Sequence, residues 1–179
     1  MNYCSNCAAP VAERVPDGDN RLRHVCDACG VIHYVNPKIV AGCLPVWEDK
    51  VLMCRRAIEP RSGLWTLPAG FMELGETTQA AAARETLEEA QAQVEIQDLY
   101  CYLNIPRINQ VYVLFLGRML TPDFAPGEES LEVALLEEDQ IPWDQIAFAS
   151  MDVTLRHFFE DRRNGQFITR VVDLDHRPR

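Results

Sequence analysis

The stretch from Gly70 to Ala92 carries three glutamates whose spacing places them on one side of a helix. Because a helix turns about 100° per residue, Glu85, Glu88 and Glu89 fall within an arc of about 100°. Like charges this close destabilise an isolated helix, and clustered carboxylates suit Mg²⁺ or Mn²⁺. The pattern predicts a divalent cation site, although a solvated acidic surface explains the same residues. We expect the opposite side to face the core; it carries Ala80, Ala83, Leu87, Ala90 and Val94.

The residues before this helix predict a tight turn that brings the backbone close to it. A strand-like run, Leu64–Leu67, leads to Gly70, and glycine lets the backbone approach a ligand closely. Thr77 or Thr78 is the expected N-cap of the helix. This approach favours the cation site over a solvated surface.

The same stretch resembles the sequence signature of the Nudix hydrolases. The matching positions, with the spacing that the signature has, are Gly70, Glu76, Arg84, Glu85, Glu88 and Glu89. Two positions depart from it. Thr86 stands where an aliphatic residue is usual, and we expect its hydroxyl to bond back to a preceding carbonyl. Gln91 replaces the glycine that ends the helix, so we expect the helix to run a residue or two longer.

The resemblance implies an activity and a role for each matching residue. Nudix enzymes use water and divalent cations to cut the diphosphate of a nucleoside diphosphate linked to another group, and paired cations can activate water and neutralise phosphate charge. By position, Arg84 orients the glutamates and Glu76 supports the loop. The implied metal ligands are Glu85, Glu88, Glu89 and the Gly70 carbonyl.

The general base differs among Nudix enzymes, and we favour Glu85. A later acidic cluster follows Pro126-Gly127 and contains Glu128, Glu129 and Glu132. This cluster either supplies a base, with Glu129 as the candidate, or another metal ligand, or is a solvated acidic loop.

A basic cluster precedes the glutamate helix in an otherwise acidic chain. Arg55, Arg56 and Arg61 are candidates for binding phosphate oxygens, as is the Gly70 backbone. Salt bridges to surface carboxylates are the alternative for at least one arginine, since adjacent strand residues face opposite sides. Four aromatic residues are candidates either for stacking on a substrate ring or for core packing: Trp47, Trp65, Phe71 and Tyr112.

Two Cys-x-x-Cys pairs near the start of the chain have the spacing of a zinc site. Cys4 and Cys7 are separated by 18 residues from Cys26 and Cys29. Four thiolates from two tight turns predict a closed tetrahedral Zn²⁺ site, which a core this small needs in order to fold. Redox pairs or disulfides are the alternatives. The other cysteines, Cys43, Cys54 and Cys101, lie in apolar runs and are expected to be buried free thiols.

Composition limits the partners of the chain. Its 179 residues include 17 basic and 27 acidic side chains, a net charge of −10. This balance counts against general nucleic-acid binding, whose affinity comes from neutralising phosphates. The absence of a long apolar run or leader peptide predicts a cytoplasmic protein without a membrane partner.

The order of periodic segments predicts a zinc ribbon at 1–35 and an α/β domain at 36–179. We expect a second helix at 151–163, capped by Ser150 and ended by Gly165. A mixed sheet between helices, an α/β/α sandwich, follows from this order and from the Nudix resemblance. The expected strands are 38–47, 50–56, 99–105, 110–119, 132–136 and 167–174.

Nearly the whole chain resembles a bacterial Nudix group with an N-terminal zinc ribbon, which includes NADH pyrophosphatases and is similar to plant proteins that act on FAD. The motif of NADH-cleaving members is not matched at 103–111. The resemblance therefore implies a magnesium-dependent pyrophosphatase, a hydrolase of acid anhydrides, with FAD or ADP-ribose ahead of NADH. It also favours a homodimer. A nucleic-acid or protein-binding module that uses the ribbon, and a sensor that binds nucleotide without cutting it, are the open alternatives.

Overall fold

The computed structural model describes residues 1–174, so the last five positions of the domain expected at 36–179 lie outside the described residues. The chain forms two compact units, Met1–Pro37 and a larger one that starts at Lys38. In the first unit, three short antiparallel strands form a sheet: β1 (Val11–Arg14), β2 (Arg23–Cys26) and β3 (Ile32–His33).

The second unit is built on one mixed sheet, as predicted. Its strands are β4 (Lys38–Trp47), β5 (Lys50–Arg56), β6 (Trp65–Thr66), β7 (Ala69–Phe71), β8 (Val94–Ile105), β9 (Gln110–Met119), β10 (Ser130–Leu136) and β11 (Arg170–Asp173). The main order is β10-β5-β4-β9-β8-β11, with β6 paired to β5 and β7 to β4. The pairs β4–β9 and β8–β11 are parallel, and the other pairs are antiparallel.

Two helices cover opposite faces of this sheet. Helix α1 (Thr78–Ala90) packs through Ala82 on Cys43, whereas helix α2 (Ala149–Asn164) packs through Leu155 in the same cluster as Leu44. Since consecutive strand residues point to opposite faces, Cys43 and Leu44 define the two sides of the sandwich. The α/β/α fold class is confirmed.

The buried face of α1 differs from the prediction. Leu87 is 51% exposed, while the buried residues are Ala81, Ala82, Glu85, Thr86, Glu89 and Ala90. Small side chains at Ala82 and Thr86 bring the helix close to β4, where the Thr86 hydroxyl lies 3.2 Å from the Cys43 sulfur. The Thr86 hydroxyl also donates to the Ala82 carbonyl at 2.8 Å, as expected.

The start of α2 also differs from the prediction. Ser150 is not the N-cap: it lies inside the helix and is 2% exposed, and the extended residue Phe148 precedes the first turn without a side-chain cap. Packing of Phe148 and Met151 on the core places the start of the helix earlier. Gly165 ends the helix in the left-handed region with φ of 68°, as predicted.

The last strand is shorter than expected because residues 166–168 bond to α2 instead of the sheet. The Gln166 amide donates to the Asp161 carbonyl and the Ile168 amide to the Asp161 carboxylate. Strand β8 is longer than expected and starts at Val94. None of the helices found in residues 1–174 combines the length and apolar character needed to cross a membrane.

Candidate active site

The Arg84 side chain is the centre of an ionic network at the start of α1. Its guanidinium donates two bonds to the Glu76 carboxylate, at 2.8 and 3.1 Å. One terminal nitrogen, Nη1, also donates to Glu85 at 2.8 Å and to Glu88 at 2.9 Å. The other, Nη2, reaches the Phe71 carbonyl at 3.2 Å. A single planar cation therefore fixes three carboxylates relative to one another.

The turn between β7 and α1 is held by the same network. The Glu73 amide donates to Glu76 at 2.5 Å, which orients Glu76 towards Arg84. The helix begins with Thr77 as the N-cap, whose hydroxyl accepts from the Ala80 amide at 3.1 Å. Of the two threonines predicted as the N-cap, Thr77 is therefore the one that caps the helix.

Gly70 lies directly against the Glu85 carboxylate. It sits in β7, opposite Ala41 of β4, and a β-carbon at this position would overlap both oxygens of Glu85. Only glycine lets the strand backbone approach the carboxylate this closely.

The end of α1 is closed by the loop that carries the second acidic cluster. The helix ends at Ala90 with Gln91 in the left-handed region at φ 49°, so the expectation of a longer helix is wrong. The Gly127 amide donates to the Glu89 carbonyl at 3.0 Å, and the Gln91 side chain donates to the Pro126 carbonyl at 3.1 Å. These loop bonds replace the missing glycine cap and bring Glu129 towards the helix.

Two of the three helix glutamates are buried. Glu85 is 9% exposed and Glu89 is 7% exposed. Burial, and then the neighbouring Glu85 charge, raise the pKa of Glu89 to about 8. Burial also raises the pKa of Glu85, although Arg84 opposes the shift. Because Glu129 contributes to raising the pKa of both, it belongs to the same group of carboxylates.

These carboxylates open onto a cavity of about 1060 Å³. Of the predicted site residues, the cavity is lined by Arg56, Arg61, Gly70, Arg84, Glu85, Glu88, Glu89 and Glu129. Arg56 is oriented by a bond from its Nε to the Pro60 carbonyl at 3.0 Å, and its guanidinium lies 5.1 Å from the Phe148 ring centre. Two of the predicted arginines thus face the same space as the glutamates.

Other predicted residues are not brought to this cavity. Arg55 faces away: its Nε donates to the Gly63 carbonyl at 2.9 Å, and it lies 3.6 Å from Glu132. Trp47 and Trp65 pack against the core, whereas Phe71 and Tyr112 do line the cavity. The sequence reasoning missed Arg107 and Gln110, which also line the cavity. Their position depends on the pairing of β9 with β4 and β8, which no local pattern reveals.

The donor set fits a divalent cation. Glu85 and Glu89 are buried carboxylates whose pKa values are raised mainly by burial, and oxygen-rich clusters of this kind suit Mg²⁺ or Mn²⁺. Among the described residues, the four cysteines are the group whose ligand atoms lie close enough together to hold a metal ion, and Arg84 bonds to both Glu85 and Glu88.

The four cysteines of the first unit form a separate cluster. Their sulfurs all lie within 4.8 Å of one another, with Cys4–Cys29 at 3.7 Å and Cys7–Cys26 at 3.5 Å. Four sulfurs at about 2.3 Å from one Zn²⁺ in a tetrahedron would be about 3.8 Å apart. Tight turns follow each first cysteine, with the Ala8 amide bonded to the Cys4 carbonyl and Gly30 to Cys26. The cluster therefore fits zinc.

Comparison with known families agrees with these two arrangements. Residues 36–161 match the family model described as NUDIX domain. The chain belongs to the Nudix family of hydrolases. Residues 2–35 match the model described as Nudix N-terminal, a zinc ribbon.

Solved and curated relatives extend the comparison. A NUDIX hydrolase from Nitrosomonas europaea is 50% identical, with a TM-score of 0.96 over 98% of this chain and 100% of its own. The ADP-ribose pyrophosphatase of Methanocaldococcus jannaschii is 24% identical over 113 residues, 61% of this chain and 67% of its own. The NAD-capped RNA hydrolase NudC of Edwardsiella ictaluri is 35% identical over 96 residues, 52% of this chain. The matched part spans only 34% of that NudC.

Proposed function

We propose that this protein hydrolyses the diphosphate bond of a nucleoside diphosphate linked to another group, with Mg²⁺ or Mn²⁺ as cofactor. The observation that supports this most is a single cavity of about 1060 Å³ that carries the helix glutamates on one wall and Arg56 and Arg61 on another. Carboxylates hold cations and guanidinium groups bind phosphate oxygens, so the cavity has side chains for both the metal cofactor and the diphosphate.

In this proposal Glu85, Glu88 and Glu89 hold the cation, and the Gly70 carbonyl is a further ligand. A divalent cation bound there would supply Lewis acidity and neutralise charge on the diphosphate. Arg84 keeps the carboxylates in position through its bonds to Glu85 and Glu88.

The chain supplies its own groups for moving a proton and binding phosphate. Glu85 is our candidate for the general base, and Glu129, which approaches from the loop after Gly127, is the second. Arg56 is the better-oriented of the phosphate-binding candidates, because the Pro60 carbonyl and the Phe148 ring fix its guanidinium. Arg55 does not bind phosphate in this proposal, because it donates to the Gly63 carbonyl and does not line the cavity.

For the substrate we propose ADP-ribose or FAD ahead of NADH. The cavity is slightly larger than the usual range of about 300–1000 Å³ for small-molecule sites, which suits a two-part nucleotide. Relatives include an ADP-ribose pyrophosphatase and an NAD-capped RNA hydrolase. The net charge of −10 disfavours a long RNA, so a small nucleotide is preferred.

A substrate panel tests the proposal. Purified protein with Mg²⁺ is incubated with ADP-ribose, FAD, NADH, NAD-capped RNA and nucleoside triphosphates, and products are identified by mass. We expect AMP from ADP-ribose or FAD, and loss of hydrolysis in Glu88→Gln, while Glu160→Gln, an exposed change on α2 outside the cavity, keeps it. Full activity of Glu88→Gln at saturating Mg²⁺ would refute the metal assignment. Tight binding without product would instead indicate a nucleotide sensor.

Three further expectations stay predictions. They are a structural Zn²⁺ in the four-cysteine cluster, a homodimer and a cytoplasmic location. Size-exclusion chromatography with light scattering tests the dimer directly.

A further inference from the structure

The Tyr112 side chain is buried, but its hydroxyl makes no hydrogen bond to any residue of 1–174. Tyr112 is 9% exposed and its ring belongs to the main core cluster, so the ring is not available for stacking on a substrate base. A buried tyrosine hydroxyl ordinarily finds a partner, as Tyr100 does by donating to Asp161 at 2.9 Å. Tyr112 has no such partner among the described residues.

Tyr112 lines the active-site cavity, and its hydroxyl is not fully enclosed. Within the described residues, the one fully enclosed side-chain oxygen or nitrogen without a partner is the Ser130 hydroxyl. The Tyr112 hydroxyl, which also lacks a partner, is thus not sealed, and Tyr112 lines the active-site cavity. A bound molecule can supply the missing partner.

Tyr112 lies two strands away from the segment that contacts Glu85. Tyr112 of β9 is in register with Val40 of β4, and Val40 with Phe71 of β7, next to Gly70. Two strand spacings separate the Tyr112 and Phe71 backbones by roughly 10 Å. Arg56 lies close enough to both Tyr112 and Glu89 to lower their pKa values. A phenol and a guanidinium that face one space next to a cation site suit an anionic oxygen.

The phenol is a donor in this setting. Burial raises the pKa of Tyr112, and Arg56 opposes the rise, so the hydroxyl keeps its proton at neutral pH. We propose that the Tyr112 hydroxyl donates a hydrogen bond to an oxygen of the substrate diphosphate, which makes Tyr112 a binding residue of this site. This inference rests on the proposed function.

The variant that tests it is Tyr112→Phe, which keeps the ring in the core and removes only the hydroxyl. The matched control is Tyr102→Phe, because Tyr102 packs on the opposite face of the sheet, beside α1, and does not line the cavity. We expect kcat/KM for ADP-ribose to fall about 10- to 100-fold in Tyr112→Phe, the usual size for a lost bond to a charged group. The fall should lie mainly in KM, with thermal stability unchanged.

A binding measurement separates this inference from the proposed function. By calorimetry in buffer containing Mg²⁺, ADP should bind Tyr112→Phe at least about tenfold more weakly than wild type, and adenosine, which has no phosphate, should show no difference between the two. The role of Tyr112 is overturned if Tyr112→Phe binds ADP as tightly as wild type does, or if wild type does not bind ADP. It is also overturned if Tyr102→Phe loses as much affinity for ADP, or if Tyr112→Phe loses as much affinity for adenosine. If wild type hydrolyses none of the diphosphates but the ADP difference is found, the proposed function fails and the inference stands.

Discussion

Replacing Glu89 by glutamine should stabilise the magnesium-free protein. Glu89 is 7% exposed, and burial foremost raises its pKa from 4.5 to about 8. In the unfolded chain the same carboxyl ionises near 4.5. Below pH 4.5 the Glu89 carboxyl is protonated in both states and does not reduce the free energy of unfolding. As the pH rises from 4.5 through 8, the unfolded chain releases the proton that the folded state keeps, so the free energy of unfolding falls.

The size of the effect follows from the pH interval. At pH 7 the unfolded chain is about 2.5 pH units above the ordinary pKa of 4.5, and each unit is worth about 1.4 kcal/mol. Ionisation of the unfolded chain therefore costs wild type about 3 kcal/mol at pH 7 and less than about 1 kcal/mol at pH 5. Glutamine is uncharged and keeps an acceptor for the Ala69 amide, so Glu89→Gln avoids this cost.

Unfolding can be followed in the second unit alone. All three tryptophans, Trp47, Trp65 and Trp143, lie in that unit, so their fluorescence does not report on the four-cysteine cluster. In magnesium-free buffer we expect Glu89→Gln to raise Tm by about 6–12 °C at pH 7 and by little at pH 5. The control is Glu88→Gln: the Glu88 side chain is 57% exposed and paired with Arg84, so a change below about 1 kcal/mol is expected.

Addition of Mg²⁺ should reverse the order. Wild type gains stability with the logarithm of the Mg²⁺ concentration above its Kd, while Glu89→Gln, which lacks one proposed ligand, binds the cation more weakly and gains less. A burial cost at Glu89 is contradicted if Glu89→Gln is no more stable than wild type at pH 7, or if the difference does not shrink between pH 7 and pH 5.

Two other substitutions test the close contacts at the two sites. Gly70→Ala would place a methyl group where the Glu85 carboxylate lies, so we expect kcat to fall about 100-fold with the far-UV circular dichroism spectrum preserved; unchanged kcat would contradict the contact. Cys26→Ser removes a buried member of the four-cysteine cluster, so elemental analysis should find one Zn²⁺ per chain in wild type and almost none in the variant; a zinc-free wild type with a Cys4–Cys7 disulfide would exclude the zinc site.

Elements defined by local signals could be predicted closely from the sequence. The strands at 38–47, 50–56 and 110–119 have the bounds expected from their apolar runs and from the turn at Glu48-Asp49. The Thr77 cap and the Gly165 end of α2 depend on side-chain and backbone preferences of single residues. Such signals act within a few residues, and tertiary packing did not override them.

The misplaced features depend on contacts between distant segments. Ser150 has the chemistry of a cap, but packing of Phe148 and Met151 starts α2 earlier. Gln91 lacks the freedom of glycine, yet the Pro126 carbonyl and the Gly127 amide, both over 30 residues away, support its left-handed conformation. The wall with Gln110 and Tyr112 required the pairing of β9 with β4.

The largest error concerned α1, and it has a functional explanation. Amphipathic reasoning assigns Leu87 to the core and the glutamates to the opposite face, but the helix buries Glu85 and Glu89 and leaves Leu87 exposed. Burying acids costs stability, and here it also goes against the apolar pattern of α1, which would place Leu87 in the core. Conflicts of this kind are expected where a site needs a charge arrangement that packing alone would reject.

Arg84 neutralises only some of the carboxylates in the cluster. Arg84 bonds to Glu76, Glu85 and Glu88, and in the described part of the chain its bonds do not extend to Glu89. The carboxylates least compensated by the protein are therefore Glu89 and its neighbour Glu129, which raises the pKa of Glu89 further. Arg84 compensates Glu76, Glu85 and Glu88, whereas Glu89 keeps its proton in the metal-free protein, and a bound cation would favour its ionised form. We therefore expect the first divalent ion to bind on the Glu89 side of the cluster, next to Arg56, where a diphosphate can contact the cation and the guanidinium together.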